Sequence, residues 1–284
     1  MRFEFGENWL SFAERALTTE RVRQAEADLE ELLAGIGIEG RTFLDIGFGQ
    51  GLTLLAAKRR GARVVGLDVD PRCVDALAAT RGRYPDLDGE DIPVVVGSIL
   101  DDRTVAGLAA RVAADGGYDM VHAWGVLHHT GDMASALARA ASLVRPGGHL
   151  VVALYNRHWT SPIWKGIKAA YVRSPRLARR LLVGALYPAI FAAKWLVTRA
   201  DPRRQARGMD FHHNVVDWVG GYPYEYATVE AVTRLAARHG LARVRFRRAE
   251  VPTGCNEFVF AKGAPAPGTA AASTGRKGGS RWEP

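Results

Sequence analysis

Residues 44–51 are Leu-Asp-Ile-Gly-Phe-Gly-Gln-Gly, and this segment constrains the fold of the 284-residue chain more than any other. It follows a short apolar run and leads into a helical pattern over residues 52–60. A strand, a glycine-rich turn and a helix allow a nucleotide-type ligand to approach backbone N–H groups closely. The glycine spacing is G-x-G-x-G, with Asp45 two residues ahead. Because the dinucleotide fingerprint is G-x-G-x-x-G, a dehydrogenase is disfavoured.

Further segments of strand character follow the glycine-rich turn. Residues 63–68 end in Asp68, seventeen residues beyond Gly51, and a carboxylate at that place is suited to accept hydrogen bonds from both hydroxyls of a ribose. Strands are also expected at 92–97, 118–123 and 149–154, with helices near 51–60, 71–80, 102–114 and 132–143. Strands that alternate with helices at this pitch predict a parallel sheet with helices on both faces.

Four features, in this order, resemble the class I S-adenosylmethionine-dependent methyltransferases. They are the acid with G-x-G-x-G at 45–51, an acid-containing fourth strand, Val-Leu-His-His at 126–129 and Arg-Pro-Gly-Gly at 145–148. The resemblance is strongest over residues 40–155 and points to the UbiG-like small-molecule group (methyltransferase type 11). It implies an α/β fold with a doubly wound, Rossmann-like seven-stranded sheet, N-terminal helices, a helical insertion after strand five and a final antiparallel hairpin. It also implies S-adenosyl-L-methionine as the cofactor.

The same resemblance implies which residues contact the cofactor. Asp45 is expected to face its methionine end and Asp68 its ribose. Ser98 and Ile99 are expected beside the adenine, although many relatives carry Asp where Ser98 stands, so one carboxylate is missing here. The full set of expected contacts is Asp45, Gly47, Gly49, Gly51, Asp68, Val69, Ser98, Ile99 and Trp124.

A pair of histidines, His128 and His129, follows the fourth strand, at the edge where open parallel sheets bind their ligands. A histidine at this edge can act as a general base, because its pKa lies near working pH, so both are catalytic candidates. The alternative is that one histidine bonds to the backbone and the other is solvated. A nucleophile that is already ionised needs no base and only has to be aligned with the methyl group.

The segment 207–226 is rich in aromatic and titratable residues within an expected loop, where function tends to reside. The substrate candidates in it are His212, His213, Asp217 and Tyr222. The alternative is a loop that only packs on the insertion. Its Asp-Trp-x-Gly-Gly-Tyr-Pro sequence at 217–223, together with residues 2–9 and 255–260, is also similar to a set of bacterial methyltransferases. That similarity narrows the family but not the substrate.

Composition is that of a globular protein, with 48% hydrophobic and 24% charged residues. The two cysteines, Cys73 and Cys255, are far apart with no metal-ligand spacing, so a reducing compartment and no metal site are expected. The N-terminus has no signal-peptide core. The longest apolar run, residues 181–193, is shorter than the roughly 20 residues that cross a bilayer. A cytoplasmic location is therefore expected.

Positive charge is concentrated in one part of the chain. Residues 157–207 hold twelve Arg and Lys against one acid, so this segment has a net charge of +11 in a chain of net charge +8. A basic segment of this kind suggests one basic face. Three interpretations stay open: a lid with a solvated basic face, a peripheral membrane contact with a lipid-like substrate, or a site for an anionic soluble substrate such as a nucleotide sugar or a carrier-bound acyl chain.

The expected organisation has five parts: an N-terminal helical cap (1–39), a cofactor-binding core (40–156), a basic helical insertion with a substrate-side loop (157–226), a C-terminal helix and β-hairpin (227–262), and a disordered tail (263–284). The aromatic residues of the cap, Phe5, Trp9 and Phe12, either reach the ligand or pack the helix on the sheet.

The leading functional hypothesis is methyl transfer to a small or lipid-like acceptor at O, C or N. The first rival is a nucleic-acid methyltransferase, which the net charge invites. Against it, Ala-Trp-Gly-Val at 123–126 stands where amino-methylating nucleic-acid enzymes carry an Asn-Pro-Pro-Tyr-like segment, and no RNA-binding appendage is recognisable. The second rival is a catalytically silent module that binds the cofactor or docks on a membrane.

Overall fold

The computed structural model describes residues 3–204, 209–263 and 282. The helices are α1 (Phe5–Arg15), α2 (Thr19–Leu32), α3 (Leu52–Arg59), α4 (Arg72–Arg81), α5 (Asp102–Ala110), α6 (Met133–Leu143), α7 (Ser161–Arg173), α8 (Arg176–Thr198), α9 (Phe211–Gly220) and α10 (Val229–Ala237). The strands are β1 (Thr42–Ile46), β2 (Arg63–Asp68), β3 (Val94–Val96), β4 (Tyr118–Trp124), β5 (Val144–Tyr155), β6 (Leu241–Arg247) and β7 (Cys255–Lys262).

One seven-stranded sheet organises the domain, in the order β3-β2-β1-β4-β5-β7-β6. β1 to β5 pair in parallel, and β7 runs antiparallel to both β5 and β6. The strand order reverses at β1, between β2 and β4, and Asp45 of β1 pairs there with Gly66 on one side and His122 on the other. The expected doubly wound sheet and its C-terminal hairpin are confirmed.

The strand ends differ from the expected ranges in two places. β3 covers only three residues, and β5 begins at Val144, before the Arg-Pro-Gly-Gly segment. Tyr118 pairs with Val144 while Met120 pairs with His149, so residues 145–148 bulge out of the ladder. Gly147 has φ +75°, which fits a turn at this point. The predicted turn is therefore present as a bulge inside a longer strand.

Apolar residues form a cluster on each face of the sheet and a third cluster outside it. The first lies under α5, α6 and α10, and the second lies under α2, α3 and α4. The third joins Phe3 to residues of α7, α8 and α9, among them Tyr171, Val183 and Phe211. The insertion therefore has its own small core, to which the N-terminal segment contributes.

The expected loop over residues 208–226 is wrong in its first half, because residues 211–220 form α9. Asp210 caps this helix: its side chain accepts hydrogen bonds from the backbone N–H groups of His212 and His213. Phe211, Val215 and Val219 recur every four residues and are buried against the insertion. A capping acid followed by this spacing indicates a helix, although the unusual composition of the segment suggested a loop.

The expectation that no segment is long enough to cross a bilayer is also wrong. α8 has 23 residues, its most apolar window has a mean hydropathy of 1.6, and nearly all of that window is exposed. Within the described part of the chain it is the one helix that could span a membrane by length and composition. The apolar run is shorter than the helix because Arg180 and Lys194 end the run, whereas the helix continues beyond both. The expected tail, residues 263–284, lies outside the described residues except for Gly263 and Trp282.

Candidate functional site

The carboxyl ends of β1, β2 and β4 meet at one edge of the sheet and form a cleft, called the reaction cleft below. Parallel sheets place ligands at this edge, beside the point where the strand order reverses. Its lining includes Phe5, Trp9, Gly47, Asp68, Val69, Asp70, Ser98, Ile99, Trp124, Val126, His129 and Asp217. An adjoining pocket, which shares Trp9, Gly47 and Trp124 with the cleft, is lined by Asp45, Gln50 and His122. Together they bring most of the expected cofactor residues to one place.

The three glycines of the loop have different neighbours. All three have positive φ, which favours glycine. A Cβ on Gly47 would lie 2.3 Å from a methyl carbon of Val126, and one on Gly49 would lie 2.9 Å from the ring of Trp9. A Cβ on Gly51 would instead lie 2.3 Å from Leu77 of α4. Gly47 therefore keeps the cleft open, whereas Gly51 allows two helices to pack, and the structure does not bring Gly51 to the cleft.

Asp68 ends β2 with a buried carboxylate facing the cleft. It accepts hydrogen bonds from the backbone N–H of Gly49 and of Asp70, each at 3.0 Å. These bonds fix both carboxylate oxygens at the cleft wall, where the carboxylate also accepts hydrogen bonds from the Cys73 side chain and the Val69 backbone. Burial raises the pKa of Asp68, and its backbone hydrogen bonds oppose that rise.

Asp45 does not line the reaction cleft but faces the adjoining pocket. Its Oδ1 lies 2.7 Å from Nδ1 of His122, and both side chains are buried. The His122 ring stacks on Trp124, with centroids 5.8 Å apart and planes 9° from parallel. Gln50 Oε1 lies in the same region, buried and without a hydrogen-bond partner among the described residues. This pocket therefore presents acceptor oxygens to any donor that enters it.

α1 covers the glycine loop and the cleft. The backbone N–H of Gly6 donates to Asp70 Oδ2 at 3.0 Å, and the N–H of Phe3 donates to the carbonyl of Tyr222 at 2.9 Å. Of the aromatic residues of this helix, Phe5 and Trp9 line the cleft, whereas Phe12 is fully buried against the sheet. Asp70 accepts a hydrogen bond from the backbone N–H of Arg72 at the start of α4, and it has a second role in holding the cover in place.

The two histidines after β4 have separate environments. His129 lines the cleft, and its Nδ1 lies 2.6 Å from the carbonyl oxygen of Pro223. A carbonyl only accepts, so Nδ1 carries the proton and Nε2 presents its lone pair. Burial lowers the pKa of His129 to about 3, and the positive charge of Lys168 adds to that effect. The imidazole is neutral and able to accept a proton.

His128 lies behind His129 and does not line the cleft. It is fully buried, and its Nδ1 accepts a hydrogen bond from the backbone N–H of Tyr155 at 3.3 Å. Burial lowers its pKa far below the usual value, with His129 and Lys168 as smaller causes. Its geometry matches the interpretation of a histidine bonded to the backbone. Of the two catalytic candidates, the structure brings only His129 to the cleft.

Asp217 of α9 lines the cleft, and its Oδ1 is buried without a hydrogen-bond partner among the described residues. Burial raises the pKa of Asp217, and the nearby ammonium of Lys168 opposes that rise. Lys168 of α7 is fully buried and donates to the carbonyl of Trp218. Its Nζ lies 4.4 Å from the ring centroid of Trp218 and 4.8 Å from that of Tyr224, so aromatic faces surround the charge.

The other expected substrate residues lie elsewhere. His212 and His213 line a groove between α1, α8 and α9, on the far side of α1. His213 bonds to Asp210, and its Nε2 lies 3.3 Å from Ser11 Oγ. Tyr222 packs against the cluster of the insertion and contributes its carbonyl to the anchoring of Phe3. Among the four, only Asp217 is brought together with the cofactor candidates.

Sequence reasoning missed Lys168, His122 and the second role of Asp70. Lys168 was counted within a basic surface, yet it stands four residues after Trp164 and three before Tyr171, so it shares their helical face. That spacing was the available signal for its burial. No sequence signal marked His122. It lies beside Asp45 because β1 and β4 are adjacent strands that pair in this register.

Comparison with known proteins identifies the family and the fold of the chain. A family model described as a methyltransferase domain matches residues 17–215. A ubiquinone biosynthesis O-methyltransferase of Acinetobacter baumannii (strain AYE) is 33% identical over 138 residues, which cover 48% of this chain and 53% of that protein. The protein of the same name from Alkalilimnicola ehrlichii is 35% identical over 136 residues, covering 48% and 50%. The chain spans about half the length of these curated relatives.

Two solved structures share the fold. Magnesium protoporphyrin IX methyltransferase from Synechocystis, with bound SAH, superposes with a TM-score of 0.55 at 13% identity, covering 90% of this chain and 93% of that one. An O-methyltransferase family protein from Burkholderia thailandensis gives a TM-score of 0.51 at 19% identity, covering 85% and 57%. The expected class I methyltransferase fold is confirmed. With the family model matching most of its length, the chain belongs to the methyltransferase domain family.

Proposed function

We propose that this chain is an S-adenosylmethionine-dependent methyltransferase that acts on a small or lipid-like acceptor. One observation carries the proposal: a single cleft holds the Asp68 carboxylate at one end and the free Nε2 of His129 beside Asp217 at the other. Cofactor recognition and acceptor activation are thus within one enclosed space. The similarity to small-molecule methyltransferases supports the same assignment.

The residues of the cleft fit the proposed cofactor. Asp68 would accept hydrogen bonds from the ribose hydroxyls, and Ser98 and Ile99 would lie beside the adenine. Asp45 and Gln50 would accept from the ammonium of the methionine end, for which the orphaned Gln50 Oε1 offers an unused acceptor. Gly47 leaves room for the ligand where any side chain would meet Val126. Gly49 and Val69 complete the loop and strand ends around this space.

When bound, the cofactor supplies an electrophilic methyl group on a sulfonium centre. The chain's own residues then have three tasks. α1, with Phe5 and Trp9, excludes water from the cleft. His129 Nε2 accepts the proton of an acceptor hydroxyl, while Nδ1–H stays bonded to the Pro223 carbonyl. Asp217 orients the acceptor through its unpartnered oxygen, and alignment with the methyl group supplies much of the rate.

The first test is calorimetric titration of the purified chain with S-adenosylmethionine, with its demethylated product and with NAD as a control. We expect binding of the first two and none of NAD. Asp68→Asn should weaken the affinity at least about tenfold, because a carboxylate acceptor is lost. Asp75→Asn, an exposed acid in the first turn of α4, is the matched control and should have no effect. Equal affinity for the Asp68 variant and the wild type would refute the ribose assignment.

The acceptor we propose is a hydroxyl compound of lipid-like character, methylated at oxygen. The ubiquinone biosynthesis O-methyltransferases that match the chain support O-methylation. The exposed apolar side chains of α7, of α8 and of the turn before α7 support a lipid-like acceptor: Trp159, Ile163, Leu177, Leu181, Trp195, Leu196 and Val197. A nucleic-acid acceptor is not favoured, because Ala-Trp-Gly-Val at 123–126 stands where amino-methylating nucleic-acid enzymes carry an Asn-Pro-Pro-Tyr-like segment. Binding to RNA that salt abolishes, at an affinity above that for lipid acceptors, would reverse this preference.

We also propose that the chain works in the cytoplasm at the membrane surface, with residues 157–207 as a peripheral contact. Apolar side chains interleaved with Arg and Lys suit the boundary between lipid headgroups and acyl chains. α8 packs one side on the domain through Val183 and Ile190, which favours a helix lying in the membrane plane over one that spans the bilayer.

Sedimentation with vesicles tests the membrane contact. We expect binding to vesicles containing anionic lipid and loss of that binding in the double variant Leu177→Glu, Leu181→Glu. Val244→Glu, which charges an exposed apolar residue on β6 outside the insertion, is the matched control. If the double variant sediments like the wild type, the insertion is a lid or an anion site and not a membrane contact.

A separate assay tests whether the chain is a catalytically silent module. Methyl transfer to soluble acceptors would show that it is an enzyme.

A further inference from the structure

A second cavity lies within the insertion, separate from the reaction cleft. It has a volume of about 400 Å³, in the range of small-molecule sites. It is lined by α7 and the segment before it, by α8 and α9, by Tyr155 of β5 and by the turn between β6 and β7. Its walls are largely apolar, with Trp164, Ile190, Val197, Phe211, Val215 and Val251 among them. Such a lining favours an alkyl chain over a polar molecule, because burying an unpaired polar group is costly.

One charge faces this apolar space. Lys194 of α8 is the only Lys, Arg, Asp or Glu among the described residues that line the cavity. It is half-buried, and burial lowers its pKa while the charge of Glu250 opposes that change. The polar groups of His158 and Thr160 bond to each other at 2.8 Å. An ammonium at the wall of an apolar cavity complements one anionic group at the end of a hydrocarbon chain.

The cavity connects the lipid-facing surface to the wall of the reaction cleft. At its outer side, Trp195, Leu196 and Val197 of α8 are 47, 55 and 51% exposed. At its inner side lie Tyr155 and Trp218, whose ring centroids are 5.5 Å apart. The Tyr155 ring is also 5.5 Å from the ring of His129. A single layer of aromatic rings therefore separates the two spaces.

We infer that this cavity is a binding site for a long-chain alkyl carboxylate, with its chain among α7, α8 and α9 and its carboxylate on Lys194. The occupant would pack against Tyr155 and Trp218, whose rings both lie beside the buried Lys168, and the Tyr155 ring also contacts His129. It is a second ligand site beside the methyl-transfer site and does not depend on the proposed reaction, because its binding can be measured without cofactor or acceptor.

The test is calorimetric titration of the full chain with dodecanoate and with dodecanol, both below their aggregation limits. We expect both to bind, with dodecanoate tighter. Lys194→Met should weaken dodecanoate about tenfold and leave dodecanol unchanged, because only the charge pairing is lost. Lys165→Met, an exposed lysine of α7 that does not line the cavity, is the control for net charge.

A filling variant tests the cavity itself. Ala193 lies on the cavity wall at an exposed position, so Ala193→Trp should occupy the space without disturbing the core and should weaken both ligands. Ala192→Trp places the same ring on the exposed neighbour outside the cavity and should weaken neither. Absence of dodecanoate binding, or equal binding to the Lys194, Ala193 and wild-type proteins, would overturn the inference. Titration of the same samples with S-adenosylmethionine reports separately on the reaction cleft.

Discussion

The surroundings of His129 fix its protonation state. Its Nδ1–H donates to the Pro223 carbonyl, and burial lowers its pKa to about 3. A solvated histidine would be half protonated near pH 6.5, whereas this one remains neutral throughout the physiological range. A base of low pKa is a weak one, but it is always in the form that accepts a proton. The fixed geometry of Nε2 compensates in part through proximity to the acceptor.

At this scale we predict the effect of His129→Gln. Turnover should fall by a factor of about 10² to 10⁴, the usual contribution of a positioned base, with cofactor affinity unchanged. The measurement is transfer of a labelled methyl group from the cofactor to acceptors in a lipid extract. His212→Gln is the matched control, since His212 is exposed and lies on the far side of α1. Undiminished transfer by the His129 variant would mean that the acceptor is already ionised when it binds.

Among the elements, α1 has the most direct control over the cleft. Besides the Asn8 side chain, which donates to the carbonyl of His213, it is attached through the Gly6 backbone N–H, which reaches the Asp70 carboxylate. This approach requires glycine: a Cβ at residue 6 would lie 2.4 Å from Cγ of Asp70. Asp70 is itself fixed by its own backbone N–H, which donates to Asp68. The cover of the cleft and the Asp68 carboxylate, which we propose binds the ribose, are therefore linked through one chain of hydrogen bonds.

Gly6→Ala should displace α1 from the cleft. We expect weaker cofactor binding and faster protease cleavage within residues 5–15, because the added methyl cannot fit beside Asp70. Gly107→Ala is the matched control: a Cβ at this helical glycine of α5 meets nothing within 4 Å, so the change should stabilise the fold by about 0.5–1 kcal/mol. Unchanged cofactor affinity in the Gly6 variant would show that α1 does not need this attachment.

The elements also show what sequence patterns can and cannot predict. The sheet was predictable because glycine spacing and strand–helix alternation are local signals. α9 had a local signal as well, because Asp210 and the spacing of Phe211, Val215 and Val219 indicate a helix. The prediction missed it because the aromatic and glycine residues near 220–226 suggest a loop. The placement of His212 and His213 depends on which side of α1 that helix lies, and this tertiary contact leaves no local pattern. Asp217 reaches the cleft through the same contact.

In the whole molecule, part of the positive charge of residues 157–207 is buried and does not lie on the surface. Lys168 is buried among aromatic rings, and Arg179 donates to the carbonyls of Tyr171, Val172 and Ser174. These two cations stabilise the insertion and its junction with α9. Arg176 and Arg180 are exposed beside Leu177 and Leu181 of α8, and basic residues next to exposed apolar ones are the arrangement that the proposed membrane contact requires.

Burial of two neutral histidines makes the stability of the whole domain sensitive to acid. His128 and His129 have lowered pKa values when folded, while in the unfolded chain they titrate near 6.5. Below that pH the unfolded state binds protons that the folded state does not, so the free energy of unfolding falls as pH falls. The window extends from about 6.5 down to the folded pKa, which is about 3 for His129. Each histidine should cost about 1.4 kcal/mol at pH 5.5.

The variant His128→Asn isolates this effect from the carboxylates that also titrate. Asparagine keeps an acceptor for the Tyr155 N–H but has no proton to bind in the unfolded state. The variant should be less stable than the wild type at pH 7.5, because it loses packing, and that deficit should shrink by about 1.4 kcal/mol at pH 5.5. Denaturant unfolding at the two pH values measures both differences. For the exposed control His212→Asn the difference from wild type should be the same at both, and a His128→Asn deficit that stayed constant would mean that His128 takes up a proton in the folded domain as readily as in the unfolded chain.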